Sequence, residues 1–288
     1  MAVVEGVLFA VATLLCWGAA DFFAKKAVDK VGFVVALLIN QVVALAPICV
    51  FALAFSSFPA LSIDRVLLII VTGVLGLLGF FYLYKGFKKG NLSVVSPISA
   101  SWFVITTLIA ALLFTEVITA PRILAVVIVF FGVFFASTDL TEFRHSIRQV
   151  KSNGVLEALL SMAVWGLAFA LIKPIVDFAG PIMALLLTRL IATSTLLLWI
   201  KATKIKIGRP HRALLVIMVI AGLLDVTGFA TYNASITTEY VSIVSPIAAA
   251  YPAVTILLAH FLLRERLKKT QKIGVAAILA GLAIITIV

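Results

Sequence analysis

Long apolar runs alternate with short charged clusters along the whole chain, and each run approaches the length of a spanning helix, about 20 residues. Runs bounded by charge or by Pro/Gly turns predict ten helices, at residues 3–24, 32–55, 66–84, 93–115, 122–137, 154–176, 181–200, 213–234, 241–262 and 273–288. The segments between them are short, except for 139–153 (DLTEFRHSIRQVKSN) near the middle of the chain. The expected fold class is an all-α polytopic membrane protein with ten transmembrane helices.

Composition closes off the soluble alternatives. Of 288 residues 64% are hydrophobic and 12% charged, with mean hydropathy +1.24. A soluble domain is roughly 45–50% apolar and about one-quarter charged, which excludes a water-soluble globular enzyme. The net charge of +11 would point to nucleic acid in a soluble protein, yet no segment here is long enough for such a module. The basic residues instead gather in alternate loops, after the first, third, fifth, seventh and ninth spans (Lys25, Lys26, Lys85, Lys88, Lys89, Arg144, Lys201, Arg264 and others). The opposite side carries little beyond Arg65, Arg122 and Lys173. Basic loops face the cytoplasm. That expectation puts both termini outside, the 139–153 linker in the cytoplasm, and the chain in the cell (plasma or inner) membrane. The first five residues lack Lys and Arg and include Glu5, so the N-terminus reads as an uncleaved span rather than a secretory signal. Cys16 and Cys49 lie in apolar segments and read as packing thiols, with no metal or cofactor expected.

The sequence repeats itself. A shift of 148 aligns Trp17-Gly18 with Trp165-Gly166, Lys25 with Lys173 and Asp29 with Asp177. A shift of 149 aligns Val95-Ser96-Pro97-Ile98 with Val244-Ser245-Pro246-Ile247, Thr106 with Thr255, Glu116 with Glu265 and Gly132 with Gly281. Two homologous units of five helices are expected, 1–148 and 149–288. Five is odd, so the second unit enters the membrane inverted, and the basic loops switch to the alternate positions accordingly. Inverted repeats are an architecture of secondary transporters.

The segments WGAADFFAKKAV and VWGLAFALIKPIV, and the triplets Pro97/Glu116/Gly132 and Pro246/Glu265/Gly281, resemble the drug/metabolite transporter superfamily, EamA type. The resemblance runs over nearly the whole chain. It implies a ten-helix carrier of small metabolites such as amino acids, nucleosides, sugars or amphipathic drugs, exported or exchanged. The small multidrug relatives use a Glu in their first helix as a proton site; Trp17 stands there, so that mechanism does not carry over. An Arg common in the second helix of each unit is matched by Arg189, whereas the first unit has Gln41.

Charges inside spans are costly and mark pathways. Arg189 is expected about 12 Å from the outer start of its span and Asp225 roughly 12–14 Å below the outer end of the next. Two readings fit: a site for a zwitterion or a proton-switched gate, and a static structural pair. Asp21 and Lys25 share a helix face, so a salt bridge between them is expected, with ion coupling at Asp21 the alternative. Glu116 and Glu265, at helix ends, are expected to neutralise bases or bond loop backbone. Trp102 and Tyr251, equivalent in the two units, fall about 14–15 Å into their spans, as opposite walls of a central cavity or as ordinary packing. Trp17 and Trp165 form a second such pair, and Ser96, Ser99, Ser245 and Tyr82 complete the polar candidates. Pro97, Pro246 and Pro252 are the expected kinks near the cavity, the first two in first turns and Pro252, like Pro47, in a helix interior.

Together these features favour a secondary active transporter, exporting or exchanging small metabolites by alternating access between the halves. Its partners would be a small-molecule substrate, protons or a counter-substrate, and the bilayer. A lipid or amphipath flippase on the same scaffold is the alternative. A membrane-embedded lipid-modifying enzyme needs clustered carboxylates or a His/Asp array, which the sparse acidic residues do not provide, so no enzymatic activity is expected.

Overall fold

The computed structural model describes residues 2–114, 116, 119–137, 153–208, 210–263 and 268–287, and every regular element among them is a helix. The first half holds α1 (Ala2–Val31), α2 (Phe33–Phe55), α3 (Ile63–Lys89), α4 (Leu92–Ala100), α5 (Trp102–Leu113) and α6 (Ala120–Ser137). The second holds α7 (Val155–Ala179), α8 (Pro181–Thr203), α9 (Arg212–Thr238), α10 (Val241–Ala248), α11 (Tyr251–Leu263) and α12 (Lys269–Ile287). With α4–α5 and α10–α11 each taken as one span, eight of these segments are long and apolar enough to cross a membrane, and α6 is a shorter apolar helix. The linker 139–152, Arg209 and residues 264–267, which include Arg264 and Glu265, lie outside the described residues.

The fourth and ninth apolar runs, expected as unbroken helices, are each broken near the middle. α4 stops before Ser101 and α10 before Ala249–Ala250, where Ser101 N–H bonds Ile98 O at 3.2 Å and Ala250 N–H bonds Ile247 O at 3.2 Å in the tighter three-residue pattern. Proline withholds a donor and crowds the preceding turn. Pro97 and Pro246 sit past the first turn of α4 and α10, not within it, a few residues before each break. Pro252, expected in a helix interior, is the second residue of α11, where a missing N–H costs little. Pro47 is accommodated within an unbroken α2.

Helix contacts run mainly between the halves: α1 lies along α9, α3 along α7, and α6 along α12. In lipid, helices associate through close packing at small residues and through interhelical hydrogen bonds. Both devices occur in matched pairs. Thr106 Oγ1 donates to Gly166 O at 2.9 Å, and Thr255 Oγ1 to Gly18 O at 2.9 Å. The Trp165 indole packs directly on Gly79, and Trp17 packs on Gly228. Gly132 meets Ile278, and Gly281 meets Val129. The turns after α1 and α7 use Gly32 at φ 82° and Gly180 at φ 78°, a left-handed backbone that favours glycine.

Candidate substrate site

Four helices converge on one buried ion pair. Arg189 of α8 places Nη2 3.0 Å from Oδ2 of Asp225 on α9, with both side chains almost completely buried. From α2, Gln41 Oε1 accepts from Arg189 Nη1, and Asn40 Nδ2 donates to Asp225 Oδ2 at 3.2 Å. The rings of Phe80 on α3 and Phe229 on α9 lie 5.2 and 4.8 Å from the guanidinium carbon, within cation–π range. A buried charge needs a partner and further hydrogen bonds, and here each ion has both. The pairing of Arg189 with Asp225 is therefore a feature of the structure. The guanidinium also borders a mostly apolar cavity lined by Gln41, Thr72, Gly76, Trp165, Phe169 and Thr188 among others. Gln41 Nε2 and Thr72 Oγ1, both buried, have no hydrogen-bond partner among the described residues.

A second cavity lies against the first across a shared wall of Phe80, Trp165, Phe169 and Phe229. Trp17, Trp102 and Tyr251 complete its aromatic lining, and Asp21 and Asp225 supply two carboxylates. The structure thus brings together all four aromatic candidates, Trp17, Trp165, Trp102 and Tyr251. Trp17 stands between Trp102 and Tyr251, with centroids 6.2 and 6.1 Å away in edge-on geometry. Ser99 is buried but outside these cavities, and Tyr82, half-buried, packs its ring against Phe81.

Asp21 is not paired with Lys25. Lys25 Nζ lies 2.9 Å from Asp29 Oδ1 and donates to Phe87 O at 2.6 Å and Gly90 O at 3.4 Å. The last carbonyls of α3 have no helical partner and draw a cation, and the long lysine stem reaches them. Asp21, one turn deeper, faces the aromatic cavity and accepts only from Ser96 Oγ at 3.4 Å among the described residues. The repeat-related Ser245 pairs with the Tyr232 hydroxyl at 2.9 Å.

The end bearing Lys25 is closed further by Glu157 at the start of α7, which pairs with Lys89 and lies 3.8 Å from Lys85. At the other end a wide cavity of about 880 Å³ opens among Glu116, Arg122, Lys173, Asp177, Glu239 and Tyr240. Glu116 caps α10, its two carboxylate oxygens accepting from Val241 N and Ser242 N at 2.9 Å each. Lys173 pairs with Asp177 on its own helix. Partial burial pushes the Glu239 carboxyl above its usual value, against the opposing pull of the Tyr240 N–H and the Arg122 charge.

Phe80, Phe169, Phe229 and Asn40 were not singled out by the sequence, where Phe is one of the commoner residues at 21 copies. The repeat held one usable signal: Phe80 and Phe229 are 149 positions apart.

A family model for EamA-like transporters matches twice, at residues 4–138 and 152–287. The chain belongs to the EamA-like transporter family. It is accordingly a multi-pass membrane protein of a transporter family. An uncharacterized protein of Methanocaldococcus jannaschii, MJ1333.1, is 26% identical over 136 residues, 47% of this chain and 96% of the relative. A protein of known crystal structure shares the fold with a TM-score of 0.77 at 16% identity, over 98% of this chain and 96% of the other.

Proposed function

We propose that this EamA-like protein is a secondary active carrier of small metabolites. It alternates access between two inverted five-helix repeats, 1–148 and 149–288, in a ten-helix arrangement with both termini outside. The observation that carries the reading is the unequal setting of two equivalent lysines. Lys25 closes on the carbonyls of Phe87 and Gly90. A shift of 148 takes Lys25 to Lys173, and a shift of 149 takes Phe87 and Gly90 to Ile236 and Glu239. Lys173, Ile236 and Glu239 all line the wide cavity at the opposite end. One device is shut at one end and open at the other, and exchanging the two settings moves a central site from one side to the other. Reciprocal contacts such as Thr106–Gly166 and Thr255–Gly18 support the inverted relation, because each half then offers the other the same surface. Inverted-repeat carriers hold substrate near the midplane between the repeats, and the Arg189–Asp225 cluster and aromatic cavity lie between helices of both halves.

The test is reconstitution into proteoliposomes under a pH gradient, with labelled amino acids, nucleosides, organic cations and a fluorescent phospholipid. Gradient-driven accumulation or exchange of one soluble compound supports the carrier. Movement of the phospholipid alone replaces it with a flippase, and movement of nothing by folded protein overturns it.

A further inference from the structure

We propose that the cavity beside Arg189 binds a small neutral solute by its carbonyl oxygen, with Gln41 and Thr72 as the donors. The argument begins with the polar side chains on the cavity wall. Arg189 is paired with Asp225. Thr188 Oγ1 donates to Ala184 O at 2.8 Å on its own helix, Asn233 Nδ2 to Pro181 O at 3.0 Å, and Trp165 Nε1 to Gly76 O at 3.3 Å. Gln41 Nε2 and Thr72 Oγ1 are left without a partner among the described residues, although Gln41 is fully buried and Thr72 is 4% exposed. They reach the same cavity from α2 and α3. A buried donor without an acceptor is expensive, and two on one wall call for a group that accepts from both.

The ion pair fixes which face Gln41 shows. A guanidinium only donates, so Gln41 Oε1 turns to Arg189 Nη1 and the amide nitrogen is the group left over. The Thr72 hydroxyl, unlike that of Thr188, makes no bond to its own helix. Both unused groups can donate, and one carbonyl oxygen can accept two bonds. A cation without an acceptor would set donor against donor. A carboxylate would lie beside Asp225, which already holds the guanidinium, and would lose its hydration among mostly apolar walls. A neutral carbonyl escapes both costs. The rest of the wall, with Phe80, Phe169, Phe229, Ile172 and Leu185, suits an apolar body. The cavity measures about 60 Å³. That is room for about four waters, the scale of a single ring bearing a polar head.

As a substrate class this rests on the carrier reading, but the site is tested by binding alone. The full chain, purified in detergent, is titrated with para-fluorobenzamide, para-fluorobenzamidinium and para-fluorobenzoate and followed by fluorine NMR. The three probes share one shape and are neutral, cationic and anionic in turn. Saturable binding of the benzamide, at least roughly tenfold tighter than either ion, is expected where two donors await a neutral acceptor. Thr72→Val keeps the shape, removes the hydroxyl and should weaken the benzamide about fivefold, the worth of one neutral hydrogen bond. Gln41→Met should weaken it similarly, and neither variant should alter the weaker binding of the two ions. Equal affinity for all three probes, tightest binding of either ion, or full benzamide binding by folded Thr72→Val overturns the proposal. Absence of benzamide binding leaves the cavity to water and overturns it too. If the variants do not fold, the comparison of the three probes on the unaltered chain decides. Transport of a charged metabolite by protein that ignores the benzamide removes this site and leaves the carrier standing. Benzamide-selective binding without transport of any compound supports the site and removes the carrier.

Discussion

Gln41 and Arg189 stand 148 positions apart in the chain and meet in the fold, the amide oxygen accepting from guanidinium Nη1. The two are equivalent under the repeat, so the position that carries a charge in one half carries its hydrogen-bond acceptor in the other. An Arg in both places would set two guanidinium groups against each other with Asp225 as the nearby anion. Gln41 removes that repulsion and leaves one ion pair, Arg189–Asp225, at the centre of four helices.

Breaking this pair should cost more than deleting it. Asp225→Ala leaves Arg189 buried without its anion and is expected to destabilise the protein by about 3–5 kcal/mol, whereas an apolar replacement of both partners costs much less. Thermal unfolding in detergent of Asp225→Ala, Arg189→Met and the double variant Arg189→Met/Asp225→Leu checks this. A double variant as unstable as the sum of the single ones would contradict it. Asp225→Asn, which keeps the shape, is expected to express yet lose transport if the carboxylate takes part in the cycle.

Much of the fold could be read from the chain because lipid imposes simple demands. Apolar runs, short loops and the repeat of Trp17/Trp165 and Pro97/Pro246 led to a helical membrane protein of the family that the matches at 4–138 and 152–287 establish. The breaks at Ser101 and Ala249–Ala250 were hidden, because each lies inside an apolar run that hydrophobicity alone reads as continuous. At the site, Arg189, Asp225 and the four aromatics stood out as rare types at depth. Asp21 was assigned to the wrong partner because spacing on a helix shows which residues share a face but not what lies opposite. The carbonyls of Phe87 and Gly90 that capture Lys25 come from more than 60 residues away.

The glycines under the tryptophans should be intolerant of even one methyl group. A Cβ at Gly79 would collide with the Trp165 indole, and one at Gly228 with Trp17. Ring and backbone cannot both stay, so Gly79→Ala and Gly228→Ala should each destabilise by about 1–3 kcal/mol, the usual cost of overpacking. Both should also shift Trp emission, because both rings line the aromatic cavity. Gly76→Ala, where a Cβ meets open space, is the matched control and should change stability little.

Glu239 should make stability depend on pH in a defined direction. Its carboxyl titrates above the ordinary 4.5 because folding partly buries it, so the folded chain holds the proton more tightly than the unfolded chain does. The resulting stabilisation is complete below the unfolded value and is lost as pH rises through the folded one. Glu239→Gln stays neutral throughout. Relative to that variant, the unaltered protein should therefore lose thermal stability as pH rises through and above the ordinary carboxylate range. Parallel unfolding curves for the two proteins across that range would show that burial of Glu239 carries no such linkage.

Lys25 should act as a latch for the end it closes. Its ammonium ties α1 to the last carbonyls of α3, and no other described base occupies that position. Lys25→Ala frees those carbonyls and should raise the time that this end spends open. Val94, fully buried near the start of α4, offers a place to detect it. In a chain with Cys16 and Cys49 replaced by Ala, a cysteine at Val94 should react slowly with a membrane-impermeant maleimide. Adding Lys25→Ala should speed labelling by about tenfold, as expected if the lost hydrogen bonds to a charged group were worth about 1.5 kcal/mol in the closed state. The equivalent change, Lys173→Ala, should leave Val94→Cys labelling the same or slower, because Lys173 is expected to latch the opposite end in the alternate setting. Equal acceleration by both substitutions would mean general loosening of the helices and would rule out a latch at Lys25.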